Sequence, residues 1–544
     1  MIRRMRRRRR SGDEGIAMIM VMASITVLTL LITAAVGYAM AAMPQARHDQ
    51  DWNAAMAAAQ SGVDDYVARL NQNDSYWQTV DCTNTALKGG KNGTNSCGWT
   101  TSTSPGWQLV EPGNSKGGQF HYDVSTAGIN SQGYVQVTST GQVNGVSRTI
   151  QANVGRGGST NFLYYTDFED ADPANTYVYP SGASTQCGGS GPTNAKYYWP
   201  SGRSGCVEIT FVGGDTLDGA VHFNDTPLIS GTPLFKKGFE TADPNCATTP
   251  YSESNCYRGS GNPNLNGLNA QAVGLLNLPD NSNQFVNFPG CQYTGDTRIK
   301  FNSNGTMTVW NKGGVSGTNC GSASQLASTN GQSGIPVPTD QVIYVRNAAT
   351  QTKCTAGQIG DGLPLSGDVN IVGSNALPQF YCGNGNLYVE GTLGGRVTAA
   401  AQNDIIVTND LLLANTTKGQ PATGPDMLGL VAGNSVVVYH PVNSSGNELV
   451  SISDRWIYGS IQTLQHSFWV QNYNNGSTAG TAKLHVRGSI AQRWRGIVGT
   501  SGGTGYLKDY GYDTRLKYTS PPYFPQWTNA VWKATTTGEL KPAY

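Results

Sequence analysis

From Ile16 to Ala46 the chain has no charged residue. A secretory hydrophobic core runs roughly 7–15 residues, whereas a membrane-spanning helix needs about 20. The run is too long for the first and long enough for the second. It predicts a transmembrane helix over 16–43, entered from a basic leader at 1–15. Beyond it, Trp52, Met56, Ala59, Val63, Tyr66 and Leu70 recur at steps of four and three. That spacing makes one apolar stripe of a helix, close to a heptad seam, with Asp64 and Asp65 off the stripe. An amphipathic helix over 44–75 is therefore expected to continue the first, with a kink at Pro44. Helical from Ile16 to Gln72, the pair would reach about 85 Å at 1.5 Å per residue.

The period then changes to two. Phe120, Tyr122 and Val124 alternate with polar neighbours in GQFHYDVST, Val135 and Val137 in GYVQVTSTG, and Ile150, Ala152 and Val154 in SRTIQANV. Asn144-Gly145, between the last two, is a strong hairpin signal. A small antiparallel β-domain is expected over 76–155, packed on the helix, with 156–160 as a flexible linker. From 161 to 544, short β-branched runs are separated by Gly, Asn, Ser and Thr, with almost no helical periodicity. LYVEGTLGGRV at 387–397 aligns in register with LHVRGSIAQRW at 484–494. IYGSIQT at 457–463 carries the same glycine–hydroxyl–aliphatic core, and LDGAVHF at 217–223 a looser version. Short strands with Gly and Asn at the corners suit a parallel β-helix, in which coils stack on one another. The spacing of Gly391, Gly459 and Gly488 is irregular, so a β-sandwich stands as the alternative. The proline- and aromatic-rich segment YDTRLKYTSPPYFPQWTNAVW is expected to cap an open edge. The predicted class is mainly β with one long N-terminal α-helix.

Composition sharpens this picture. Charged residues make up 13% of the chain, about half the usual share. Net charge is +1, but Arg3, Arg4 and Arg6 to Arg10 supply seven of the 36 basic residues. The remainder holds 29 basic against 35 acidic residues, a net of −6. A mildly acidic body argues against nucleic-acid binding. The arginines fit a cytoplasmic flank under the positive-inside rule, which places the bulk of the chain on the extracytoplasmic side. All ten cysteines lie between Cys82 and Cys382. An even number on an exported chain suggests disulfides. Short-range pairing is expected: Cys82–Cys97, Cys187–Cys206, Cys246–Cys256, Cys291–Cys320 and Cys354–Cys382. No C-x-x-C pair exists, so structural zinc is not implied.

A basic leader ending in glycine, an uncharged helix running into an amphipathic one, and a small antiparallel sheet resemble a type IV prepilin. More narrowly, DEGIAMIMVMASITVLTLL followed by AAMAAAQSGVDDYVARLNQ resembles the N-terminal region of PilX-like minor pilins. VQVTSTGQVNGVSRTIQANV is similar to their sheet, and the likeness covers roughly residues 11–155. GDTLDGAVHFNDTPLISGTP resembles segments of large surface proteins of Gram-positive bacteria that carry such a leader. The resemblance implies a prepilin peptidase cutting after Gly15, leaving Ile16 first, or after Gly12, leaving Asp13 first. It also implies other pilins and their assembly machinery as partners, in a bacterial membrane or on the cell surface. Major pilins carry a glutamate at the fifth mature position. Here that position is Met20 or Ala17, and Glu14 is the nearest acid. This departure fits a minor pilin and leaves an uncleaved signal anchor open.

Candidate chemistry is sparse. Asp215, Asp218, His222 and Asp225 fall within GGDTLDGAVHFND, and Asp404 and Asp410 within AQNDIIVTNDLLL. Paired carboxylates of this kind serve polysaccharide-cleaving enzymes. Asp and Asn also turn corners between strands, and His222 would then face outward. His48, His121, His440, His466 and His485 show no metal-ligand spacing. Walker A, G-x-S-x-G and dinucleotide motifs are missing from the sequence. Neither a catalytic residue nor a cofactor is assigned. Tyr197, Tyr198, Trp199, Phe468 and Trp469 form aromatic clusters that could stack on surface glycans, although aromatics at this density more often fill a core or cap a coil. The expectation is a non-enzymatic pilin-like adhesin or pilus component. The alternative is a membrane-anchored β-helix that binds or cleaves polysaccharide.

Overall fold

One helix runs from Glu14 to Gln72 and continues through Pro44, so the two expected helical segments form a single element. The computed structural model describes residues 14–544 except 93, 115–116, 176–177, 180–186, 188–195, 476–481 and 501. The chain divides into two compact units. The first comprises Met1–Ser125, Gln136–Asn153 and Thr536–Tyr544, the second Thr126–Val135 and Val154–Thr535. Residues 536–544 thus belong to the first unit.

A five-stranded sheet, in the order Gln108–Leu109, Gln119–Ser125, Tyr134–Val143, Val146–Arg156, Trp532–Leu540, lies largely in the first unit. The Asn144-Gly145 hairpin has positive φ at both positions (47° and 83°), as a type I′ turn requires. Phe120, Tyr122, Val137, Ile150 and Ala152 are buried. Against them the helix turns Ala55, Ala58, Ala59, Val63, Tyr66 and Leu70. This register differs from the expected stripe at its start. Trp52 is 42% exposed and lies beneath the Arg148 guanidinium, 4.6 Å from the ring centre.

Small residues set the helix–sheet distance. A Cβ on Gly141 would come within 2.2 Å of the Ala55 carbonyl oxygen and the Ala59 nitrogen. One on Gly62 would meet the Ser139 hydroxyl at 2.2 Å. The backbones approach this closely only where side chains are nearly absent. Tyr122 crosses the seam, donating its hydroxyl to Asp65 at 2.8 Å. The other side of the Gln119–Ser125 strand is covered as well, because Tyr544 donates to Asp123 at 2.8 Å and packs against His121.

The second unit contains a mixed sheet of 21 strands in which most neighbours are parallel. Its core is read by following one register position from strand to strand. Cys291, Ile343, Ala399, Leu430, Ile461, Ile490, Tyr164 and Val221 are successive partners, all buried. Ile299, Val389, Val407, Val438 and Val470 form a second such ladder. Strand order departs from chain order, since Tyr164–Ala171 pairs with the far end of Lys483–Arg495. Gly459 and Gly488, aligned from sequence, sit side by side on neighbouring strands. A Cβ on Gly488 would stand 1.9 Å from the Gly459 oxygen. Gly391 belongs to the other ladder, opposite Leu411.

The proline-rich segment lies across a sheet face rather than capping an edge. Arg396 donates to Ser520 O at 3.2 Å, and Phe524 packs with Tyr344, Ala400 and Val431. Five disulfides join Cys82 to Cys97, Cys187 to Cys206, Cys246 to Cys256, Cys291 to Cys320 and Cys354 to Cys382.

Candidate functional site

Two features stand out, one on the surface and one inside. On the surface, the large apolar side chains from Ile16 to Met43 are 48–80% exposed. The span is long and apolar enough to cross a membrane, and none of its most apolar stretch is buried. Its few polar side chains are turned inward on the helix. Ser24 donates to Met20 O at 2.7 Å and Thr29 to Ile25 O at 2.7 Å. Thr26 and Thr33 also bond carbonyls three and four residues back. Hydroxyls satisfied within the helix suit a surrounding that offers no water. Gly15 belongs to the first turn and Ile16 follows it, while Gly12, Asp13 and the arginine leader lie outside the described residues.

The acids singled out from sequence do not form one site. Asp215 is buried and accepts from Lys508 Nζ at 2.8 Å. Asp218, half exposed, pairs with Lys236 at 2.8 Å. His222 is buried, not outward-facing. Its Nδ1 lies 2.7 Å from Glu240 and its Nε2 2.9 Å from Asn224. Asp225 is enclosed, accepting the backbone N–H of Glu169 at 2.9 Å and of Tyr198 at 2.6 Å. Asp410 pairs with Lys418 at 2.6 Å. Each group is answered by its own neighbour, and the four in GGDTLDGAVHFND do not converge on one point.

The interior feature is a layer of charge that sequence reasoning missed. Tyr164–Ala171 is buried along its whole length, yet it carries Asp167, Glu169 and Asp170, with Asp172 following. Arg495 reaches Glu169 at 2.5 Å, both fully buried. The enclosed Arg203 guanidinium meets Asp225 at 2.5 Å, Glu208 at 2.9 Å and Asp170 at 3.7 Å. Burial raises the Asp170 carboxyl to about 8, with Arg203 opposing it. Glu169 is also raised by burial, against the pull of Arg495. Nearby, His466 Nδ1 lies 2.7 Å from Asp172. Burial lowers the His466 imidazole, but the Asp172 carboxylate outweighs this and the net shift is upward. Asp404 is raised by burial to about 7. One of its oxygens accepts from Ser435 N at 2.8 Å, and the other has no hydrogen-bond partner. Asp172, Asp404 and His466 share a cavity of about 40 Å³, room for a water molecule and not for a sugar ring.

Among the described residues, the metal-ligating side chains that come close together are Asp170, Cys187 and Cys206. Those cysteines are joined to each other and have no thiolate to offer a metal. The aromatic clusters are likewise engaged. Phe468 and Trp469 are buried. Tyr197 stacks between Phe168 and Trp199, and Tyr198 lies under Arg258. They act as core and flank fillers, not as exposed stacking platforms.

No family model matches the chain, and no curated protein matches it. Among solved structures it is similar to the competence-associated pilin ComZ from Thermus thermophilus. The identity is 11%, the match covers 90% of this chain and 98% of that one, and the TM-score is 0.27. A score that low supports no argument about fold, so the functional reading rests on the residues above.

Proposed function

We propose that this chain is a pilin-like surface protein, with its N-terminal helix seated in a bacterial membrane and then among other pilins. The observation that carries this is the helix itself. Its first half is apolar all round and uncovered, and its second half is seated on a small antiparallel sheet through Ala55, Ala59 and Gly141. A spanning segment that continues as the spine of a folded domain suits an element that moves from lipid into a helical bundle. In this reading a prepilin peptidase cuts after Gly15 or Gly12, and the protein is a PilX-like minor component. The N-terminus is cytoplasmic and the folded units are displayed outside, where five disulfides are at home. The second unit is then a parallel β-helix, a reading that its in-register parallel ladders support over the β-sandwich. Adhesion or display is its work. The test is mass spectrometry of the N-terminus of protein purified from its native envelope. A mature start at Ile16 or Asp13 supports prepilin processing; an intact arginine leader rejects it in favour of a signal anchor.

A further inference from the structure

Outside its leader the chain is net acidic, yet one groove of the second unit gathers cations. The groove has a volume of about 1010 Å³, at the upper end of what ligand sites enclose. Its floor is a run of parallel strands. Arg487 stands beside Gly511, Asp509 beside Thr216, and Gly511 beside Asp218, with Lys236 just past the next strand. Three strand steps of about 4.8 Å give a length near 14 Å.

Beside Arg156, whose guanidinium donates to the Trp527, Thr528 and Ala530 carbonyls, the charges along it fall into two sets. Lys236 is paired with Asp218 at 2.8 Å, Arg487 with Asp509 at 2.9 Å, and Asp513 is held by Arg515 at 2.7 Å. The groove's three carboxylates are thus already neutralised. Lys237, Lys517 and Lys533 also line it and are exposed, and their ammonium groups have no ion-pair or hydrogen-bond partner among the described residues. Three uncompensated ammonium groups in one concavity on an acidic body focus a field that attracts anions.

We propose that this groove binds a segment of acidic glycan. Lys237, Lys517 and Lys533 answer its carboxylate or phosphate groups, while the paired Asp218, Asp509 and Lys236 exchange hydrogen bonds with its hydroxyls. The size excludes a simple ion as the intended ligand. Nucleic acid is disfavoured because its charge density, about one per 1.7 Å in a duplex, would bring phosphates against the interspersed carboxylates. Tyr510 and Tyr512 line the groove as well. Tyr510 is buried, and the Tyr512 hydroxyl is committed to Thr160 O at 2.8 Å. The proposal does not depend on the pilin-like reading and survives its failure.

Full-length protein in detergent micelles would be titrated with polygalacturonate, phosphomannan, uncharged dextran and single-stranded DNA at several salt concentrations. Binding to either acidic glycan without binding to dextran is the expected result, and the arm that responds identifies carboxylate or phosphate. The variant Lys237→Ala/Lys517→Ala/Lys533→Ala should bind at least tenfold more weakly with a flatter salt dependence. Lys300→Ala/Lys353→Ala/Lys483→Ala, removing the same charge elsewhere, should leave binding unchanged. Failure with both acidic glycans, equal losses in the two triple variants, or tighter binding to DNA would each overturn the proposal.

Discussion

The first unit carries hydrocarbon on its outside and the second carries ions on its inside. From Ile16 to Met43 the helix exposes every large apolar side chain it has. In the second unit Glu169, Asp170, Arg203 and Arg495 have side chains with no exposed surface. Both arrangements break the ordinary partition of residues between water and core, and they do so for different reasons. A continuous apolar surface of this length is costly in water, so it bears on the surroundings outside the chain. Buried charge is tolerable only where counter-charges are built in, so it reports on contacts within it. An unpartnered apolar helix is therefore informative about location, and an enclosed ion network about architecture.

The contrast can be broken at its strongest point first. Arg495→Met strands Glu169 as a buried charge, which should cost about 3–5 kcal/mol. Amide exchange should rise at Tyr164 and Ile490 and stay unchanged at Val137. Adding Glu169→Gln should recover most of the loss, and a double variant as damaged as the single one would remove ion pairing from the account. Next, Ile25→Arg places a charge mid-span at a cost of roughly 2.5–3.5 kcal/mol. The protein should leave the membrane fraction while both units keep their native exchange pattern; unchanged fractionation would sink the anchor. Smaller again, Gly141→Val drives a side chain into the Ala55–Ala59 backbone and should destabilise the first unit alone by about 1–3 kcal/mol, read as faster exchange at Tyr122.

A last contrast is a difference in pH response. Asp170 and Asp404 sit near 8 and 7, above an unfolded value near 4. Their folded forms favour the proton, so the stability they contribute is complete below pH 4 and is lost as pH rises through 7 to 8. The second unit should weaken between pH 6 and 9, less in Asp404→Asn. In the first unit Asp81 is lowered, chiefly by the Thr83 hydroxyl, so its contribution runs the other way and disappears only on acidification. Urea midpoints of the two units across this range check the sign.

How much of this was legible depended on how far apart the interacting residues lie. The long helix, the strand alternation and the Asn144-Gly145 turn are local patterns, and they appear where the periodicity put them. The helix face was read almost correctly, but Trp52 was counted as core because it is large and apolar. In fact the backbone contact selects Ala55 and Gly62, which carry almost no hydrophobic signal. The buried acids were illegible for a different reason. Asp167, Glu169 and Asp170 alone look like a solvated strand; their partners Arg493, Arg203 and Arg495 lie far along the chain. Lone acids in Asp/Gly-rich turns, such as Asp215, were read as corners because Lys508 is 293 residues away. The groove lysines gave no sequence signal, since Lys237, Lys517 and Lys533 converge only through strand order.

That strand order bears on how the protein is made. Tyr164–Ala171 finds its neighbour in Lys483–Arg495, and the first unit's sheet takes in residues 536–540. A chain threaded through a membrane from its N-terminus would deliver the early strands long before their partners. For most of export, the Tyr164–Ala171 edge that meets Lys483–Arg495, with Asp167 and Glu169, would wait unpaired, open to proteases and to other chains. Completion of both units thus depends on distal segments, and an interrupted chain would leave both unfinished. The topology works as a check on full-length delivery.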